Sequence, residues 1–226
     1  ISVTGTASSN TSAYVILLFT NNNPTATRFP SYVGQTDANV FVWGAQFEES
    51  PIATSYIPTT TGAVTRVKDD IYLTSASSLI GQTEGTLFVE VDWQLTSGTR
   101  QELINITSTT GENRIFIRCD NSSDVIRFQL QHQGFIGRVT DITQTSVRSG
   151  IQKFAFAYKS TDSRIAYNGS SKKPASDFSF SFDESISKIN LGQNYVNGDQ
   201  ANMWIRAVAL FKTRLSDAEC EDLTTI

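Results

Sequence analysis

From Gly85 to Leu95 the chain alternates without a break: Leu87, Val89, Val91 and Trp93 fall on one side of an extended backbone, and Phe88, Glu90, Asp92 and Gln94 on the other. Residues 125–132 repeat the pattern, with Ile126, Phe128 and Leu130 opposing Arg127, Gln129 and Gln131. A period of two belongs to strands that bury one face and turn the other to solvent or ligand, so a helical fold is excluded here. Strand-like segments recur at the spacing of a sandwich: 85–95, 102–107, 113–119, 125–132, 153–159, 164–168, 178–182, 188–191 and 203–211. So many strands in one stretch imply two packed antiparallel sheets. The expected fold is all-β, an antiparallel β-sandwich with a small N-terminal β segment and a short C-terminal helix. That helix rests on Ser216-Asp-Ala-Glu219, which has the spacing of a capping box.

Upstream, Ile1–Thr6, Ala13–Thr20 and Ala38–Phe47 read as strands, with Val40, Val42 and Ala45 on one side of the third. A few strands with long polar connections cannot bury an apolar face alone, so this segment, 1–50, is expected to pair with other chains or to dock on its own sandwich. Residues 51–70, with Pro51, Pro58 and the run Thr59-Thr-Thr-Gly62, read as a linker, because proline cannot serve in a central ladder. Residues 71–226 form the sandwich.

Composition excludes several functions. With 18 basic against 22 acidic residues the net charge is -4, which lacks the basic footprint of a nucleic-acid or anionic-membrane binder. The longest apolar run, Tyr14–Phe19, is far short of the ~20 residues of a membrane span, and the opening Ile1-Ser-Val-Thr lacks the pattern of a signal peptide, so the chain reads as soluble. One histidine (His132) and two distant cysteines (Cys119, Cys220) cannot build a Cys/His zinc site or a disulfide framework. No cofactor is expected. Calcium stays open as an alternative through the oxygen-rich string Asp120-Asn-Ser-Ser-Asp124, which also reads as a hairpin loop.

Two groups of residues carry chemistry. Arg127, Gln129 and Gln131, with Arg114 and Arg118 on a neighbouring strand, would form a face of donors and acceptors for sugar hydroxyls, and planar guanidinium forks suit acidic sugars. Tyr195, Asn197 and Asp199, in the turn 194–200, are further candidate ligand contacts. Glu90 and Asp92 occupy alternate positions of one strand, as a glycosidase pair would, and they are the catalytic candidates if the chain is a hydrolase. Trp43, Trp93 and Trp204 could stack on sugar rings, but Trp93 is expected in the core, where its burial contributes most.

The run Val42-Trp-Gly-Ala-Gln46-Phe-Glu-Glu49, followed by Ala53-Thr-Ser-Tyr-Ile-Pro-Thr59 and Val64-Thr-Arg66, resembles a signature of bacteriophage tail-fibre proteins, where it closes a carbohydrate-binding-module-like jelly roll. The resemblance covers about residues 1–70 and only the second half of that jelly roll, which implies a processed or truncated fragment. Residues 70–226 are similar to laminin G-like domains of the concanavalin A-like lectin and glucanase fold. That likeness rests on Lys153-Phe-Ala-Phe-Ala-Tyr158, Ile165-Ala-Tyr-Asn-Gly169, Ile205-Arg-Ala-Val-Ala-Leu-Phe211 and Leu215-Ser-Asp-Ala-Glu219. Arg206 and Ala207 stand where that family often carries an acidic pair, and Gln94 stands where related glucanases carry a third carboxylate in Glu-x-Asp-x-Glu. Together the resemblances imply a homotrimeric virion tail-fibre module, made in the host cytoplasm, that recognises a bacterial surface polysaccharide without hydrolysing it. The alternatives are a structural capping, trimerisation or attachment module, and a polysaccharide depolymerase.

Overall fold

The computed structural model describes residues 41–48, 53–93, 100–120, 125–143, 150–173 and 179–226. The chain divides into two compact units, Ile1–Thr65 and Arg66–Ile226. In the first, the two halves of the motif grip each other through side chains. Gln46 Oε1 accepts from the Ile57 amide at 2.8 Å, both carboxylate oxygens of Glu48 accept from Thr54 at 2.6 Å, and Trp43 meets Tyr56 edge-on at 5.8 Å. Of the strands expected here, 1–6, 13–20 and residues 38–40 lie outside the described residues. Residues 41–47 form no strand, a correction: side chains, not a backbone ladder, bind them to 54–57.

The second unit is a sandwich of two antiparallel sheets. Its strands are β1 (Ile71–Leu73), β2 (Glu84–Trp93), β3 (Gln101–Thr107), β4 (Arg114–Cys119), β5 (Val125–His132), β6 (Phe135–Thr143), β7 (Gly150–Lys159), β8 (Arg164–Tyr167), β9 (Ser170–Lys172), β10 (Lys188–Leu191) and β11 (Met203–Phe211). The larger sheet runs β1-β10-β3-β4-β5-β6 and the smaller β11-β2-β7-β8-β9.

Alternation places the core as expected. Leu87, Val89, Val91 and Trp93 of β2 face inward with Phe154 and Phe156 of β7, and Ile115, Ile117, Ile126, Phe128 and Leu130 meet them from the larger sheet. Phe128 lies edge-on to Phe154 and Phe156 at 6.3 and 6.0 Å, the geometry aromatic quadrupoles favour. Helix α1 (Asp217–Thr224) begins in the expected capping box: Ser216 Oγ accepts from the Glu219 amide at 3.2 Å, and the Glu219 carboxylate accepts from the Ser216 amide at 2.7 Å. Cys220 and Leu215 pack on Ala155, Ala157 and Ala166, whose small side chains let the helix lie close on the outer face of the smaller sheet.

Two expectations differ from the structure. The segment around Phe178–Phe182 forms no strand over its described part, 179–182. Phe180 and Phe182 still pack against the core, so the alternating phenylalanines mark burial, not ladder pairing. Three strands carry no sequence signal: β1, β6 and β9 are sheet edges. An edge strand has one neighbour, so little of its pattern is imposed by burial.

Candidate functional site

The expected residues of β4 and β5 do share one face. Cα partners across the two strands are Arg114 with Gln131, Phe116 with Gln129, and Arg118 with Arg127, and the alternating isoleucines and leucine on the other side fill the core. On this outer face Gln131 Oε1 accepts from both Nε and Nη2 of Arg114, at 2.9 and 2.7 Å. The Arg114 guanidinium lies 4.5 Å over the Tyr195 ring, and the Arg118 guanidinium lies 5.0 Å over Phe116. Tyr195, Arg114, Phe116 and Arg118 therefore form a ladder in which flat cations and aromatic rings alternate.

Tyr195 is held there by its loop. Asn194 Oδ1 accepts from the amides of Val196 and Gly198 at 3.0 and 2.8 Å, and its Nδ2 donates to Asp199 at 3.0 Å. The Glu102 amide donates to the Asp199 carbonyl at 2.9 Å, tying the loop to β3. Beneath the ring lies Gly111, with φ +81°, where a Cβ would stand 2.5 Å from Tyr195. Only glycine meets both conditions, the left-handed backbone and the close approach. Asn197, also at positive φ (+59°), shapes the turn with its backbone: its carbonyl accepts from Lys68 and Gln200.

Several members of the site were not among the sequence candidates for sugar contact. Asp120 ion-pairs with Arg118 (3.0 Å), Arg100 (3.5 Å) and Arg127, which locks the guanidiniums in place. A carboxylate so engaged does not fit a hard-cation site; 121–124 lie outside the described residues, and among the described residues no cluster of three or more His, Cys, Asp or Glu could hold a metal. Desolvation pulls Arg118 down from its ordinary value, opposed by the charges of Asp120 and Glu102. Among the described side chains of this face, Arg100, Arg114, Arg118 and Arg127 outnumber Glu102, Asp120 and Asp199, an excess of positive charge on a chain of net charge -4, although Arg118 and Arg127 are mostly buried.

A polar floor continues onto β3 and β10. A register shift between Glu102 and Ile104 turns both Glu102 and Asn105 outward, while Leu103 and Ile104 stay in the core. Asn105 Nδ2 donates to Glu102 Oε1 at 2.7 Å, and Asn190 Nδ2 donates to the Asn105 carbonyl at 3.3 Å. Glu102 Oε2, Asn105 Oδ1 and Asn190 Oδ1 are buried with no donor among the described residues. Burial pushes the Glu102 carboxyl up to about 7, against the Asn105 hydrogen bond and the Arg118 charge. Beside this floor a hollow of about 470 Å³ is lined by Tyr195, Lys188, Thr107, Ser108, Thr74 and Ser77 among others, a hydroxyl-rich surface. The sequence signal for Phe116 and Asn105 was present, in Arg114-Ile-Phe-Ile-Arg118 and in the amide interrupting Ile104-Asn-Ile106; Asp120 stood out only within the oxygen-rich string 120–124, and for Arg100 and Lys188 no local pattern existed.

The hydrolase candidates lie elsewhere. Glu90 and Asp92 point outward from the smaller sheet, where Arg206 Nε donates to Glu90 at 2.9 Å and Arg206 Nη1 stands 3.9 Å from Asp92. Glu90, one member of the pair, is engaged by Arg206, and the third position, Gln94, lies outside the described residues.

No protein-family model matches the sequence, and no curated protein does. Among solved structures the chain is similar to the CBM40 of the Ruminococcus gnavus IT-sialidase, at 16% identity over 70% of this chain and 98% of that one, with a TM-score of 0.52. Domain 4 of AbnA, a GH43 extracellular arabinanase from Geobacillus stearothermophilus, solved with arabinotriose, aligns at 15% identity over 69% of this chain and 72% of that one, TM-score 0.51. Domains LG4-5 of the mouse laminin α1 chain align at 8% identity over 66% and 41%, TM-score 0.51. The sandwich has the concanavalin A-like fold. At these identities the likeness concerns the fold, which hosts many functions, so function has to be argued from the site itself.

Proposed function

We propose that the sandwich is a non-hydrolytic, lectin-like module that binds an acidic saccharide on the outer face of the larger sheet. The observation that carries this reading is the ladder of Tyr195, Arg114, Phe116 and Arg118, held by Asp120 and the 194–200 loop beside a hydroxyl-lined hollow. Pre-placed guanidinium forks bind carboxylates with little ordering cost, and the hydroxyls that line the hollow beside them can exchange hydrogen bonds with those of a sugar. Two of the similar folds are described with saccharides, the R. gnavus CBM40 with sialyllactose and the arabinanase domain with arabinotriose, which supports the class of ligand.

We further infer a bacterial surface polysaccharide as the ligand, a homotrimeric tail fibre as the setting and the virion as the location. What supports this is the resemblance carried by residues 42–66 and the side-chain clasp those residues form.

The test is binding of the chain to an array of bacterial capsular and lipopolysaccharide glycans, with a reducing-end assay on each hit. Retention is expected on acidic polysaccharides, weakened about tenfold by Arg114→Lys, which keeps the charge and loses the fork. No new reducing ends should form. Retention indifferent to Arg114→Lys and Tyr195→Ala would overturn the assignment of this face, and new reducing ends abolished by Glu90→Gln would restore the depolymerase.

A further inference from the structure

The outer face of the smaller sheet is only partly covered. Helix α1 lies over Ala155, Ala157 and Ala166, whereas at the β11 edge of the sheet Trp204 and Arg206 are exposed. On that side Trp204 is the Cα partner of Asp92, and it is 64% exposed, whereas Trp93, turned to the core from the neighbouring strand, is 5% exposed. An indole left in water forgoes the stabilisation that burial would supply, and none of the described aromatic rings stacks on it.

Beside Trp204 the ladder is interrupted. A register shift between Ile205 and Ala207 leaves Arg206 without a partner across the strand, and such a bulge re-aims the side chain it carries. Its guanidinium reaches Glu90 at 2.9 Å and Asp92 at 3.9 Å. Lys153 Nζ stands 3.9 Å from Glu90 and donates to the Thr225 carbonyl at 2.7 Å. Two cations face two carboxylates, so the patch carries no net charge. Asp92 accepts no hydrogen bond from the described residues, its ion-pair partner being Arg206 at 3.9 Å, so its oxygens can accept from a ligand.

We propose that Trp204, Asp92 and Arg206 form a second saccharide site, one for an uncharged sugar chain. The C–H face of a pyranose or furanose ring stacks on the exposed indole, while adjacent hydroxyls donate to Asp92 and accept from Arg206. Balanced charge removes the Coulombic preference for anions that marks the opposite face. The site does not depend on the reading of that face. Sites on opposite sheets would let one module join two segments of a glycan layer, with the gain in avidity that linkage brings.

The experiment titrates the full chain with cellohexaose, xylohexaose and mannohexaose, followed by tryptophan emission and, because Trp204→Ala deletes the reporter, by calorimetry. At least one should give a saturable change that persists in Arg114→Ala, vanishes in Trp204→Ala and is about tenfold weaker in Asp92→Ala. Near-ultraviolet circular dichroism from the core aromatics checks that the variants fold. Binding that survives Trp204→Ala, or no change with any of the three sugars, overturns the proposal. Loss of acidic-polysaccharide retention in Arg114→Ala, read in parallel, reports on the other face alone.

Discussion

Replacing Glu102 by glutamine should stabilise the protein, and only above about pH 5. The carboxyl lies fully within the polar floor, with one oxygen accepting from Asn105 at 2.7 Å and the other, like Asn105 Oδ1 and Asn190 Oδ1, without a donor among the described residues. Desolvation raises it from an ordinary 4.5 to about 7. The folded chain therefore keeps this proton through a pH range in which the unfolded chain has released it. Stability from this group is fully present below pH 4.5 and is lost as pH rises through 7. At ~1.4 kcal/mol per pH unit the loss approaches about 3 kcal/mol above neutrality. Glu102→Gln removes the buried charge and brings an amide donor to oxygens that lack one. Urea unfolding of both proteins should give similar midpoints at about pH 4.5 and a variant that is more stable by up to about 3 kcal/mol at about pH 8. Asp217, held low by its arginines against desolvation, and Glu184 and Glu219, held low by hydrogen bonds to Thr110 and Ser216, contribute with the opposite slope. They are common to both proteins and cancel in the difference. A difference that does not change with pH, or a wild type that gains on the variant from acid to neutral pH, would refute the reasoning.

Three further outcomes follow from local geometry. Gly111→Ala meets both a left-handed backbone and the Tyr195 ring at 2.5 Å, so thermal unfolding should show a loss of about 1–3 kcal/mol, with weaker acidic-polysaccharide binding as the ring is displaced. Ser216→Ala breaks the capping box and should cost about 1 kcal/mol, read as a drop in Tm of about 2–4 °C. Burial pushes the Cys220 thiol up to about 11, so iodoacetamide at neutral pH should leave it unmodified in the native protein and alkylate it after urea unfolding; rapid native labelling would contradict the burial.

What could be read along the chain was what burial imposes on neighbours in sequence. Leu87, Val89, Val91 and Trp93 had to point one way, Arg127, Gln129 and Gln131 the other, and the structure keeps both sides as the alternation demanded. The phenylalanines around Phe180 show the limit of the same signal, because burial can be met at the end of a sandwich without a ladder. The edge strands β1, β6 and β9 escaped for the converse reason, since pairing on one side asks little of side chains.

The sequence by itself determined the two-sheet architecture, the C-terminal capping box and the outward set of Arg114, Arg118, Arg127, Gln129 and Gln131, because each depends on spacings of a few residues within one element. Only the tertiary structure decided that Tyr195, distant along the chain, lies under Arg114, that Asp120 ties the guanidiniums together, and that Arg206 engages Glu90. It also decided that Trp204 stays in water while Trp93 is buried, although both sit in alternating strands. The physical reason is that alternation orders the two sides of each strand, whereas the covering of an outer face depends on where a loop or a helix from elsewhere in the chain comes to rest.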